Sequence, residues 1–187
     1  MVKKEIRVIG IDDAPFNKFK KGRVLVIGTI FRGGSFIDGI LSTKVAVDGN
    51  DSTKKLIAMV NKCKFKPQLQ CILLDGIAFG GFNVIDIKKL HKKTKIPVIV
   101  VIRKRPDFKK IFKTLTKLNK KSKIKLIQKA GPVTKIGKIF VQIKGISTRK
   151  TKEILDITCT RSFIPEPIRV AHLIAAGVIS GESKGKA

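Results

Sequence analysis

The apolar positions in the first quarter of the chain fall into three closely spaced runs. They occupy EIRVIGIDD (5–13), GRVLVIGTIFRGG (22–34) and SFIDGILSTKVAV (35–47). Runs that are nearly continuous over this length are typical of buried strands. The glycine-bearing links between them favour hairpin connections. The pattern therefore predicts an antiparallel three-stranded meander at the start of the chain.

Beyond residue 50 the pattern alternates between short apolar strands and amphipathic helices. Strands are predicted at 71–76 (CILLDG) and 96–104 (IPVIVVIRK), and helices after Asp51, at 83–92, 106–121 and 148–159, and from 164 onward. Shorter alternating segments, interpreted as strands, surround Ile124 with Leu126, and Ile139, Val141 and Ile143. Short buried strands need helices on both faces. We therefore expect one three-layer α/β domain with a mixed sheet over residues 1–180 and a flexible polar tail at 181–187.

The composition narrows the class of protein without identifying a reaction. The 187 residues are 43% hydrophobic, enough for a full core, but no apolar run has the length of a membrane span. The chain enters a strand pattern directly, so we expect no signal peptide. Cys63, Cys71 and Cys159 form no CxxC pair, which favours reduced thiols in a cytoplasmic protein.

The charge balance points to an anionic partner. Lys and Arg number 41 against 13 Asp and Glu, a formal net charge of +28. Such a surface attracts polyanions, because each neutralised phosphate releases counterions. The sequence therefore favours nucleic acid, DNA or RNA, over a membrane, for which no basic amphipathic helix with an aromatic face is seen. A lysine-rich composition without a specific partner is the alternative.

The few acidic residues are concentrated where strands end. Asp12 and Asp13 close the first strand and Asp75 closes the fourth. If these strands are parallel neighbours, their carboxyl ends share the edge of the sheet where ligands bind in open α/β folds. Grouped carboxylates favour a hard divalent cation, Mg²⁺ or Mn²⁺. Asp51 is a further candidate ligand, although a helix cap is the favoured interpretation there.

Basic residues near these strand ends are candidates for phosphate contact. Arg103, Lys104 and Arg105 follow the fifth strand, and Arg169 lies in the last helix; solvated surface charge is the alternative. No phosphate-binding loop accompanies GIAFGGF (76–82), and no GxSxG motif is present, which argues against acyl transfer. His91 is interpreted as a solvated helix residue.

The stretch IPEPIRVAH (164–172) begins the last helix. Proline and glutamate suit the first turn of a helix, but this does not account for His172. That histidine follows the apolar positions Ile168 and Ala171, so its default interpretation is a half-buried histidine with a satisfied hydrogen bond.

IPEPIRVAH is similar to the C-terminal motif of endonuclease V, VIGID (8–12) to its first strand, and CILLDG followed by KIPVIVV (95–101) to its Asp-Gly strand and the next strand. The whole pattern, including VDGNDST (47–53), resembles the archaeal endonuclease-V-like family over about residues 5–178. The resemblance implies a ribonuclease H-like fold with a divalent-metal site. It assigns Asp12 and Asp75 to the metal and His172 to the active site.

The sequence also departs from the endonuclease V pattern. That family's wedge motif carries a tyrosine, and this chain has none. FGGFNVID (79–86) replaces its His-Pro-Arg segment, and its glutamate has no clear match, Asp51 being the nearest substitute. The resemblance therefore implies a metal-dependent nucleic-acid hydrolase with altered lesion or substrate recognition. A non-catalytic nucleic-acid-binding protein with a vestigial metal site, and a small-molecule phosphoester hydrolase or nucleotide-binding module, stay open as alternatives.

Overall fold

The fold is built on one mixed sheet, and the computed structural model describes residues 1–183. The strands are β1 (Arg7–Asp13), β2 (Arg23–Arg32), β3 (Phe36–Ala46), β4 (Cys71–Asp75), β5 (Ala78–Phe79), β6 (Asn83–Val84), β7 (Val98–Ile102), β8 (Thr134–Ile136) and β9 (Ile139–Lys144). The helices are α1 (Ser52–Asn61), α2 (Ile87–Thr94), α3 (Phe108–Lys117), α4 (Lys121–Lys129), α5 (Thr148–Thr158) and α6 (Glu166–Ser180), with a 3₁₀ turn at Lys66–Gln68.

Strand order places the ends of β1 and β4 side by side. The seven-stranded sheet runs β3-β2-β1-β4-β7-β9-β8. The predicted meander is confirmed, since β1–β2 and β2–β3 pair antiparallel. β1 pairs parallel with β4, with Ile11 opposite Leu74, and β4 pairs parallel with β7. The residues that follow this pair, Asp12 and Asp75, therefore lie at one edge of the sheet.

Two layers of helices cover the sheet, as the three-layer prediction requires. Ile9 and Ile11 of β1 face a core shared with α1 and α2. Val8 faces the opposite core, which contains residues of α5 and Ile168 of α6. Because side chains alternate along a strand, Gly10 and Asp12 share the α6 face with Val8, whereas Asp13 shares the other face. The architecture is the predicted ribonuclease H-like α/β fold.

α6 packs unusually close to β1 because Gly10 has no side chain. A Cβ at Gly10 would overlap the backbone of Pro167 and Ile168. Thr29 Oγ1 on the neighbouring strand donates a hydrogen bond of 2.5 Å to the carbonyl oxygen of Pro167. These contacts fix the first turn of α6 on β1, and they set the position of His172 further along the helix.

The helix predicted at 106–121 is confirmed over Phe108–Lys117, but its predicted end is wrong. α3 ends at Lys117, and Asn119 adopts a left-handed conformation with φ of 55°. The chain then starts α4, so the strand interpretation of Ile124 and Leu126 is also wrong. Ile127, three residues after Ile124, completes a helical apolar face that packs beside α3. This tertiary contact favours a helix, although apolar and polar residues alternate locally as in a strand.

The prediction at 83–92 is correct only from Ile87 onward. Asp86 caps α2 by accepting a hydrogen bond from the Lys89 amide, while Asn83 pairs with Phe79 in the β5–β6 hairpin. α6 ends at Ser180, and residues 184–187 of the predicted tail lie outside the described residues. Within residues 1–183 no helix is long and apolar enough to cross a membrane, and the three cysteines there are free thiols.

Candidate active site

The acidic residues at the strand ends and His172 line one cleft with a volume of about 620 Å³. Asp12, Asp13, Asp75, Arg103 and His172 line it. Asp12 and Asp75 come from adjacent parallel strands, and α6 brings the histidine across from the helical layer. The tertiary structure thus brings together three of the four predicted carboxylates and the predicted histidine, which are separated by up to 160 residues along the chain.

Asp12 and His172 form the most direct contact in the cleft. His172 Nδ1 lies 2.9 Å from Oδ2 of Asp12, and Asp12 is only 4% exposed. The other carboxylate oxygen of Asp12 accepts a hydrogen bond from the Asp13 amide. The hydrogen bond with Asp12 is the main cause of a raised pKa for His172. With Nδ1 held, Nε2 is the ring nitrogen left for a ligand in the cleft.

The pKa values of Asp13 and Asp75 are raised because both carboxyl groups are buried near other carboxylates. Burial, together with the nearby charges of Asp12 and Asp75, raises the pKa of Asp13 from 3.8 to about 6, although a hydrogen bond from the Gly80 amide (2.7 Å) opposes the rise. Burial and the Asp12 charge also raise the pKa of Asp75. Arg103 opposes that second effect, since its Nη2 lies 2.9 Å from Asp75 Oδ2.

The carboxylates suit a divalent cation that is shared with a substrate. Across residues 1–183, no group of three or more His, Cys, Asp or Glu residues forms a metal-binding cluster, so a closed protein cage is absent from this part of the chain. Mg²⁺, however, usually takes one or two carboxylates and completes its shell with water and substrate phosphate oxygens. Asp12 and Asp75 match that two-carboxylate pattern, because they share a face of the sheet, whereas Asp13 turns to Gly80.

Asp51 is placed elsewhere in the fold. It stands at the N-cap position of α1, but within the described part of the chain its side chain makes no capping hydrogen bond, so the capping interpretation is wrong. Its Oδ1 instead accepts hydrogen bonds from the Ala46 amide (3.0 Å) and from Asn83 Nδ2 (2.7 Å). Asp51 therefore joins the end of β3 to β6, and it is not among the residues lining the carboxylate cleft in the described structure.

Arg169 also lies away from the carboxylate cleft. Its guanidinium forms a bidentate ion pair with buried Glu166, with Nη2–Oε2 at 2.8 Å and Nε–Oε1 at 3.0 Å. The two residues line a second cavity of about 430 Å³ together with Arg161. Of the other predicted phosphate contacts, Arg103 lines the carboxylate cleft, and Lys104 and Arg105 follow it with exposed side chains.

Two features of the cleft were not predicted from the sequence. Gly80, in the turn between β5 and β6, donates its amide to Asp13, and its φ of 56° lies in the left-handed region that glycine adopts without steric cost. The glycine pair in FGGF is a local signal for such a turn, but not for its partner. Phe16 also lines the cleft. His91, expected in solvent, is half-buried, and its Nδ1 donates a hydrogen bond to the Ile96 carbonyl oxygen (2.9 Å).

Comparison with known proteins adds an independent result. The family model described as endonuclease dU matches residues 4–179. A UPF0215 protein from Methanothermobacter thermautotrophicus is 47% identical over 191 residues, covering 100% of this chain and 94% of the relative. A UPF0215 protein from Methanopyrus kandleri is 46% identical over 193 residues, covering 100% and 98%.

Solved structures show the same fold. A protein of unknown function from Archaeoglobus fulgidus superposes with a TM-score of 0.86 at 37% identity, covering 92% of this chain and 97% of the other. Endonuclease V from Bacillus subtilis gives 0.62 at 11% identity over 94% and 81%. Ciona intestinalis endonuclease V, bound to DNA containing an inosine, gives 0.54 at 18% over 88% and 82%. The chain therefore belongs to the endonuclease dU family, an archaeal family with the fold of endonuclease V.

Proposed function

We propose that this protein is a divalent-metal-dependent endonuclease that hydrolyses phosphodiester bonds in nucleic acid. The observation that carries the proposal is the cleft at the carboxyl ends of β1 and β4, where Asp12 and Asp75 lie beside His172. The net charge of +28 supports a polyanionic substrate. Membership of the endonuclease dU family supports a nuclease over other phosphoester hydrolases.

Each residue of the cleft has a role that follows from its surroundings. Asp12 and Asp75 would hold Mg²⁺ or Mn²⁺, which when bound supplies Lewis-acid stabilisation of the phosphate. His172 is oriented by Asp12, and its raised pKa favours the protonated ring, which can donate a proton to a phosphate or leaving oxygen. Arg103 reaches Asp75 from the rim of the cleft, where its positive charge also favours an approaching phosphate.

We propose deaminated DNA as the first substrate class, recognised in a different way from that of endonuclease V. The family description names dU, so a strand containing deoxyuridine is the first substrate to test. The chain contains no tyrosine, so it lacks the aromatic residue type of the endonuclease V wedge. We therefore propose altered lesion recognition, with recognition of inosine as a separate question for the same assay.

Cleavage of end-labelled strands by purified protein with Mn²⁺ or Mg²⁺ tests the proposal. The panel contains single strands, duplexes, flaps and mismatches of DNA and RNA, with and without deoxyuridine or inosine. Asp12→Asn and Asp75→Asn should abolish cutting and retain binding. Asp156→Asn makes the same chemical change on the exposed face of α5, so it should cut like the wild type. Equal cutting by all four proteins would mean a contaminating nuclease and would refute the proposal.

A non-catalytic binding protein is the second candidate. It is favoured by the internal pairing of the cleft, where Arg103 already neutralises Asp75 and His172 already contacts Asp12. Tight, salt-dependent binding without cleavage of any strand would support it over the endonuclease. A small-molecule hydrolase would instead show weak oligonucleotide binding with little dependence on salt.

A further inference from the structure

The 14–22 loop, APFNKFKKG, joins β1 to β2 beside the carboxylate cleft. It contains two aromatic residues at different depths. Phe16 lines the cleft and is 36% exposed. Its ring packs next to the β5–β6 turn, since its Cζ lies 3.8 Å from the position that a Cβ at Gly81 would occupy. Phe19 is 87% exposed. A large apolar side chain with so much exposed surface gains little from the core of its own domain.

The 14–22 loop is held in a defined shape. Asn17 Oδ1 accepts a hydrogen bond from the Phe19 amide (2.9 Å), and the Asn17 carbonyl accepts one from the Lys20 amide (3.2 Å). At the start of the loop the Ala14 amide donates to the Leu25 carbonyl (2.8 Å). These bonds project Phe19 from a turn, so presenting its ring to a ligand requires little ordering of the loop on binding.

The same loop is strongly basic. Lys18, Lys20 and Lys21 flank the outer phenylalanine, and the Lys18 ammonium lies 5.1 Å from the centre of the Phe19 ring. Aromatic rings interleaved with lysines are the combination that binds single-stranded nucleic acid: rings stack on unpaired bases of any sequence, and ammonium groups follow the phosphates. A paired duplex offers no free base faces to these rings.

We propose that Phe16 and Phe19 stack on unpaired bases and hold a single strand, or an unpaired stretch of a duplex, with its backbone across the carboxylate cleft. The inference rests on the proposed function for the identity of the partner, nucleic acid. It adds that the protein binds unpaired nucleotides through their bases, with Phe16 next to the reacting phosphate and Phe19 further along the strand. Lys18 and Lys20 contact the intervening phosphates.

Binding in EDTA tests the proposal without cleavage. The probes are fluorescent oligothymidylate and an abasic strand of the same length and charge, followed by anisotropy. Wild type should bind the thymine strand at least roughly 5-fold more tightly, the low end of one stacked base. Phe16→Leu and Phe19→Ala should each weaken thymine binding by a similar factor and leave abasic binding unchanged. Lys18→Gln should weaken both strands and lower the salt slope by about 0.7, as expected for one contact to a single strand.

Phe36→Ala is the matched control. Phe36 is also an exposed phenylalanine with a cation over its ring, that of Arg32, but it begins β3 at the opposite end of the sheet from Asp12. The Phe36→Ala variant should bind the thymine strand and the abasic strand as tightly as wild type does. Circular dichroism melting of each variant checks that the fold is retained; loss of folding by Phe16→Leu would leave the test to Phe19→Ala, whose side chain is mostly in solvent.

The outcomes separate this proposal from the proposed endonuclease activity. Equal affinity of the wild type for thymine and abasic strands would overturn stacking, even if the protein cuts DNA. A base preference that depends on Phe16 and Phe19 in a protein that cuts no strand would support stacking and count against the endonuclease. Binding to anionic vesicles that requires Phe19, without any base preference, would assign the loop to a lipid surface and overturn the proposal.

Discussion

Replacement of Asp13 by asparagine should stabilise the protein at neutral pH in the absence of divalent cations. The carboxyl group is largely removed from water and lies close to the charges of Asp12 and Asp75, and these effects raise its pKa from 3.8 to about 6. Asparagine keeps an oxygen that accepts the Gly80 amide, and it removes the charge. A rise from 3.8 to about 6 corresponds to roughly 3 kcal/mol at pH values above both, which is an upper value for the gain.

The sign of the pH dependence follows from the direction of the shift. A carboxyl group whose folded-state pKa is raised favours the folded state below the unfolded pKa of 3.8, and this contribution is lost as the pH rises through about 6. The stability of wild type relative to Asp13→Asn should therefore fall by about 2 kcal/mol between about pH 4.5 and 7.5. At about pH 7.5 the variant should melt roughly 6–12 °C higher for a gain of about 3 kcal/mol.

Urea unfolding of both proteins in EDTA, at both pH values, measures this difference. Asp156→Asn, an exposed substitution on α5, should stay within about 0.5 kcal/mol of wild type at each pH. A variant no more stable than wild type at neutral pH, or an advantage that is the same at both pH values, would show that burial and neighbouring charges do not act on the Asp13 carboxyl.

Three further predictions concern the same cleft and the docking of α6 beside it. Asp12→Asn should lower the pKa of His172, because the hydrogen bond to Asp12 raises it. In wild type this pair stabilises the fold below pH 6.5 and the stabilisation is lost as the pH rises through the raised pKa; the variant should lack it. An unchanged proton NMR titration of His172 in the variant would contradict the contact. Mn²⁺ at about 100 times its Kd should stabilise wild type by about 2.7 kcal/mol but not the Asp12→Asn/Asp75→Asn double variant, and equal melting shifts would place the ion elsewhere. Gly10→Ala should lower the free energy of unfolding in urea by about 3 kcal/mol, because the new Cβ meets the Pro167 backbone. Gly28→Ala should lower it less, because its Cβ meets only the flexible ends of Ile9 and Met59; equal losses would contradict the close docking of α6.

Much of the layer structure could be predicted because it is encoded locally. Three apolar runs with short glycine links predicted the meander, and short strands without polar faces predicted helices on both sides of the sheet. The errors arose where a long-range contact outweighed a local pattern. Asn83 was placed in a helix, but its side chain bonds Asp51 and the Ala46 carbonyl. Ile124 alternates as in a strand, but packs in a helix beside α3.

The sequence by itself determined which chemical groups stand at the strand ends: a charged side chain cannot continue a buried apolar run, so Asp12 and Asp75 had to lie where the apolar part of each strand ends. Only the tertiary structure decided which groups meet. The parallel pairing of β1 with β4, the Gly10 contact that brings α6 and His172 to Asp12, and the ion pair of Arg103 with Asp75 depend on chain segments distant in sequence. Neither pairing nor docking leaves a periodic signal along the chain, since both result from the packing of whole strands and helices against one another.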